Sequence, residues 1–160
     1  MVRLSQASQG VKDLAALWDS RRNARPMPAF GDFDPAEFQR WSDWMAALRI
    51  TDGPGSVEVI AAGAVIARHF GGDIVGKRVA SLMDRHYWNA FEALCEQMLE
   101  KKSPLYIVAP FYYGDATISR MERIALPCGT GDAVTEVLLY WQVMADANMP
   151  TCLRFLEPSA

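Results

Sequence analysis

Past Pro104 the apolar pattern changes period, and that change constrains the fold more than any single motif. Upstream, from about Tyr87 to Lys101, the side chains of Trp88, Phe91, Leu94, Cys95, Met98 and Leu99 recur at helical spacing. Downstream, Leu105 to Tyr113, Ile118 to Leu126 and Val134 to Ala145 read as strands with period two. Gly114-Asp115 and Gly129-Thr130-Gly131-Asp132 separate them as turns. A long helix followed by three turn-linked strands predicts an antiparallel meander with that helix packed against it.

The first half supplies more elements. Val11, Leu14, Ala15, Leu17 and Trp18 form the apolar stripe of an amphipathic helix. Arg21, Arg22 and Arg25 follow, and Pro26 and Pro28 make Ser20 to Gly31 an extended connector. Asp34-Pro35 starts a second helix, with Asp as N-cap, Pro at the first helical position and Glu37 in the first turn. Phe38, Trp41, Met45 and Leu48 would share one of its faces. Leu48 to Thr51 and Val57 to Ile60 read as a hairpin around Asp52-Gly53-Pro54-Gly55. Ala64 to Phe70 is a short helix stopped by Gly71-Gly72, and Val79 to Met83 is a helical turn. Residues 148–160, with Pro150 and Pro158, read as a loose tail. The fold expected is α+β: a five-stranded antiparallel sheet, helices on one face, and an N-terminal flanking helix.

Composition narrows the function. At 160 residues the chain fits one domain, and 51% apolar residues suit a packed core. A net charge of −3 gives no broad basic field for nucleic acid or an anionic membrane. No stretch approaches the roughly 18 consecutive apolar residues of a spanning helix. Met1 to Lys12 lacks the apolar core of a secretory signal. Cys95, Cys128 and Cys152 are odd in number and widely spaced, which argues against a disulfide framework and a Cys-rich metal site. These features place the chain in a reduced cytoplasm.

Several motifs stand in order. Leu17-Trp18-Asp19-Ser20-Arg21-Arg22-Asn23-Ala24-Arg25-Pro26-Met27-Pro28 precedes Asp32-Phe33-Asp34-Pro35. Later come Ala62-Gly63-Ala64-Val65-Ile66 and Phe70-Gly71-Gly72-Asp73-Ile74-Val75-Gly76-Lys77-Arg78. The set resembles a group of small single-domain PAS proteins of alphaproteobacteria, over roughly residues 11–145. Two features depart from that group. Asn23-Ala24 stands where a Gly is common, and Val57-Glu58-Val59-Ile60-Ala61-Ala62 replaces an Arg-rich, aromatic strand. The resemblance implies a flanking helix and connector over 1–32, a PAS core over 33–146 and a tail over 147–160.

The resemblance also implies where a ligand would sit: between the inner face of the sheet and the helices, near Phe70, Trp88, Phe91, Leu94, Cys95, Tyr106, Val108 and Trp141. Such walls suit a largely apolar guest, although aromatic residues at these positions more often form plain core. Haem held by a His on the long helix is not expected, because His86 stands about one turn before the usual position. A flavin–cysteine adduct is not expected either, because Cys95 lies between Leu94 and Glu96 rather than in an Asn-Cys-Arg-Phe-Leu-Gln-like motif. His69 and His86 lie in no nucleophile motif, and no HExxH or DxDxDG gathers a metal site. Leu14, Leu17 and Trp18 need cover, either from the helix's own sheet or from a second subunit in a homodimer. Arg21, Arg22 and Arg25 beside acidic neighbours read as a solvated turn rather than a nucleic-acid contact.

The function this implies is a stand-alone PAS sensory module that acts on a signalling partner protein and is gated by a small apolar ligand. A small-molecule carrier, or an enzyme of the cone-shaped α+β type, is the alternative.

Overall fold

The period-two segments do form strands. The computed structural model describes residues 4–113, 117–144, 148 and 150–157, and the side chains of these outside 111–119. The strands are β1 (Met45–Ile50), β2 (Val57–Ala62), β3 (Leu105–Tyr113), β4 (Thr117–Thr130), β5 (Ala133–Val143) and β6 (Cys152–Phe155). They make one antiparallel sheet in the order β2-β1-β5-β4-β3-β6. The turn expected at Gly114-Asp115 and the strand end at Ala145 lie outside the described residues.

Three expectations are corrected. The sheet has six strands rather than five, because part of the expected loose tail pairs with β3: Leu105 faces Phe155 and Val108 faces Cys152. Leu156 is then buried, and its N–H bonds the Pro104 carbonyl at 2.7 Å. A strand of four residues is too short to show its period in a sequence, and an available sheet edge recruits it. The helix expected from Asp34-Pro35 does not propagate. The capping box forms, with Asp34 accepting from the Ala36 N–H at 3.0 Å and Glu37 from the Asp34 N–H at 2.9 Å, yet only short 3-10 turns follow. Met45 and Leu48 instead belong to β1, which opens at Met45 and is paired on both sides. Ladder bonds along six residues outweigh a weak local helical preference.

Pro110 survives inside β3 because β6 reaches only as far as Val108, so its missing N–H lies where no second neighbour needs it. Pairing fixes the faces. Tyr106, Ile124 and Tyr140 form one row across the sheet, and Ile107, Arg123 and Trp141 form the next, on the opposite face.

Helices cover both faces. On the Trp141 face lie α2 (Ala64–His69) and α3 (Arg85–Lys101), the latter N-capped by Asp84, which accepts from the Tyr87 N–H at 3.1 Å. On the Tyr106 face lies α1 (Gln9–Arg22), capped by Ser8 and ending at Asn23. Asn23 and Ala24 have φ of 49° and 64°, so the unusual Asn-Ala pair occupies a left-handed turn that glycine would enter more easily. Gly63 is held to glycine by proximity. An added Cβ would stand 1.9 Å from the Ser42 carbonyl oxygen.

Candidate functional site

The two faces divide the eight residues expected around a ligand. Phe70 follows α2, Phe91 lies on α3 and Trp141 on β5. These three do converge, with Leu48, Val59, Ile66 and others, around a space of about 30 Å³. Phe70 and Trp141 stand 6.0 Å apart between ring centroids, and His69 packs edge-on to Trp141 at 5.7 Å. Trp88 lies 5.7 Å from Phe91 and, with Leu94, is half-buried against the core, while Cys95 is buried on α3. Tyr106 and Val108 belong to the other face, under α1, because period two places them opposite Ile107 and Trp141. The eight residues therefore do not form one cavity. A space of 30 Å³ admits a guest the size of water, and a larger one would require the lining side chains to move.

Electrostatics along this face are mild. Burial lowers the His69 imidazole below its ordinary range, and the nearby Arg123 guanidinium adds to the effect. Arg123 itself packs over the Trp141 ring at 5.2 Å. His86 is exposed in the first turn of α3. Burial, with Glu92 and Glu96 nearby, pushes the Cys95 thiol up to about 12, and burial also raises Cys128. Cys152 is the most exposed of the three. A thiol reagent at pH 8 should therefore modify one cysteine, Cys152, in the native protein. Cys95 and Cys128 should react only on unfolding. Peptide mapping by mass spectrometry checks this, and rapid labelling of Cys95 would contradict the packing of α3.

The Tyr106 face holds a polar cluster that the sequence reading missed. Glu122 on β4 is fully buried. Its carboxylate accepts the Ser8 N–H at 3.1 and 3.2 Å and the Tyr106 O–H at 2.9 Å. Gln142 Oε1 accepts the Ser8 hydroxyl at 2.9 Å and the Tyr140 hydroxyl at 2.8 Å. Burial, then the Glu122 bond, raises the Tyr106 phenol well above its usual range. The available signal was phase: Glu122 alternates in step with Ile124 and Leu126, so it had to point inward with them. At its other end α1 is pinned by Trp18, whose indole N–H donates to the Pro127 carbonyl at 2.7 Å. Leu14 and Trp18 are thus buried against their own sheet and Leu17 packs beside them, so they present no free dimer surface in this arrangement. Arg21, Arg22 and Arg25 pair with Glu37, Asp19 and Asp32.

A larger space lies elsewhere. Between the 3-10 turns at Phe30–Asp32, Pro35–Phe38 and Ser42–Trp44 and the β1–β2 hairpin is an apolar cleft of about 420 Å³, lined in part by Phe30, Phe33, Phe38, Ala47 and Ala61. No sequence period announces it, because three short turns build its wall.

One antiparallel sheet with short helices and a long helix on one face, and a flanking helix on the other, is an α+β architecture of a recurrent kind. A family model described as "PAS domain" matches residues 6–146, and the chain belongs to that family. No curated protein matches it in sequence. Among solved structures, the PAS domain of Bordetella pertussis BvgS is similar at 12% identity, covering 87% of this chain and 89% of that one, with a TM-score of 0.51. A variant of the protein RsLOV is similar at 16% identity, covering 71% of this chain and 66% of that one, with a TM-score of 0.50. At these identities the likeness shows the fold alone. Among the described residues no helix is long and apolar enough to cross a membrane, and no three His, Cys, Asp or Glu side chains gather as a metal site.

Proposed function

We propose that this PAS domain is a signalling module whose output passes through protein–protein contact. The observation that carries the reading is the exposure of two large apolar side chains on the Trp141 face of the sheet. Val143 is 39% exposed and Leu153 48% exposed, large values for such side chains. They stand in neighbouring rows of that face: Val143 is in register with the buried Met121 and half-buried Ala109, and Leu153 with half-buried Ile107, then Arg123 and Trp141. Monomeric surfaces tolerate scattered apolar residues, but two large apolar side chains exposed on one sheet face, with half-buried Ala109 and Ile107 on the strand between β4 and β6, suit a partner.

Gating by a small apolar ligand is the finer form of this reading. Within the 30 Å³ space it requires Phe70, Phe91 or Trp141 to move. The three free cysteines fit a reducing cytoplasm. No catalytic step is part of the reading.

Native mass spectrometry of the purified chain, wild type and the double variant Leu153→Asp/Val143→Asp, tests it. The wild type should show a dimer or carry a partner purified from its own host, and the variant should lose that species while keeping its thermal midpoint. A wild-type chain that is monomeric and partner-free at every concentration overturns the reading.

A further inference from the structure

The volume lies on the wrong side of the molecule for a ligand held between sheet and long helix. The space beside Trp141 measures about 30 Å³, whereas the cleft against the β1–β2 hairpin measures about 420 Å³, within the usual range of small-molecule sites. Its construction is specific. Ala47 and Ala61 are directly paired across β1 and β2, as are Ala46 and Ala62, and all four line the cleft. Side chains alternate along a strand, so the Ala47–Ala61 pair presents its methyls to the cleft as a flat floor where larger residues would fill the space, while Ala46 and Ala62 contribute backbone and point to the Trp141 face. Phe30, Phe33 and Phe38 form the facing wall, with Phe33 and Phe38 set at 5.3 Å and 43°. Such a slot between a flat floor and tilted rings suits a planar apolar body.

The rim carries the charge. The segment from Phe30 to Trp44 holds Asp32, Asp34, Glu37 and Asp43 against one cation, Arg40. Asp32 and Glu37 are matched by Arg25 and Arg21, and Arg40 is taken by Asp13. Asp43 is exposed, lines the cleft and makes no ion pair among the described residues. An anionic guest would meet repulsion there, whereas a protonated amine would meet a carboxylate.

We propose that this cleft is a binding site for a small arylalkylamine, its ring between the alanine floor and the phenylalanine wall and its ammonium group at Asp43. Affinity for a ligand of this size is on the order of 0.1–1 mM, because few atoms share the cost of immobilisation. The site is separate from the contact surface at Val143 and Leu153, so either can fail without the other.

Tryptamine is the probe, with indole-3-propionate as the same ring carrying the opposite charge. Titration of methyl-labelled protein should move the Ala47 and Ala61 signals saturably with tryptamine. Indole-3-propionate should bind at least about fivefold more weakly, the scale of an exposed ion pair. Asp43→Asn, a surface change, should remove that preference. Ala61→Phe, which puts a ring into the cleft from an exposed position, should weaken tryptamine by about tenfold or more. The proposal is overturned if tryptamine does not saturate by about 10 mM, a generous ceiling for this class. It is also overturned if the shifts cluster at the Leu48, Val59 and Ile66 methyls beside Trp141, or if both variants bind as the wild type does.

Discussion

Replacing Trp18 by alanine should destabilise the domain by about 3–5 kcal/mol, the range for deleting a buried aromatic side chain. For a chain of this size that corresponds to a fall in thermal midpoint of about 10 °C or more. Trp18 is 1% exposed, and its indole fills the space between α1 and the far end of β4. Its N–H is the donor for the Pro127 carbonyl at 2.7 Å. That acceptor is buried, so the variant leaves a cavity and also an unsatisfied polar group. Trp18→Phe separates the two effects: it keeps most of the packing and loses the hydrogen bond, at a cost of about 1–3 kcal/mol. Urea unfolding followed by circular dichroism measures both. A shift below about 1 kcal/mol for the alanine variant would falsify the docking of α1 on its own sheet. It would revive Trp18 as a residue waiting for a second subunit.

Glu122→Ala should come close behind, at about 3–5 kcal/mol, because it strands a buried and a half-buried donor at once. The Ser8 N–H and the Tyr106 hydroxyl both end on this carboxylate. Ser8 is also the N-cap of α1, so the Glu122 carboxyl group sits at the first turn of that helix. Glu122→Gln keeps the shape and one acceptor but turns an amide N–H₂ toward a donor, for about 1–2 kcal/mol. Tyr106→Phe should be strongly non-additive with Glu122→Ala, since each removes the same bond. Amide exchange at Val11 to Leu14 should rise in the Glu122 variants if the cluster holds the start of α1. Additive losses with unchanged exchange would mean that the cluster is incidental to the helix.

Both variants act on one element, and the legibility of that element is instructive. The stripe of Val11, Leu14 and Trp18 showed that α1 needed a partner surface. A stripe is a statement about one side of an interface. What covers it depends on where β3, β4 and β5 place Tyr106, Ile124 and Tyr140, residues about a hundred positions away. The same limit applied to the candidate ligand residues. Phe70, Phe91 and Trp141 line one small space, whereas Tyr106 and Val108 fall on the other face. Alternation along each strand was readable, but which strand residues share a row depends on register, and a slip of one residue exchanges the faces. The cleft was invisible for a related reason: its floor is an alanine row created by pairing, and its wall has no period.

By itself, then, the sequence determined the kinds of element and their order: a flanking helix, a hairpin, short helices, one long helix and a meander. Those follow from local terms, the phase of apolar side chains and the turn chemistry of Gly, Pro and Asp, which act over a few residues. Only the tertiary structure decided that residues 152–155 close the sheet as a sixth strand, that Met45 enters β1 rather than a helix, and that the first helix is anchored at Glu122 and Pro127. These outcomes are set by non-local pairing and burial, whose free energy exists only once distant segments meet.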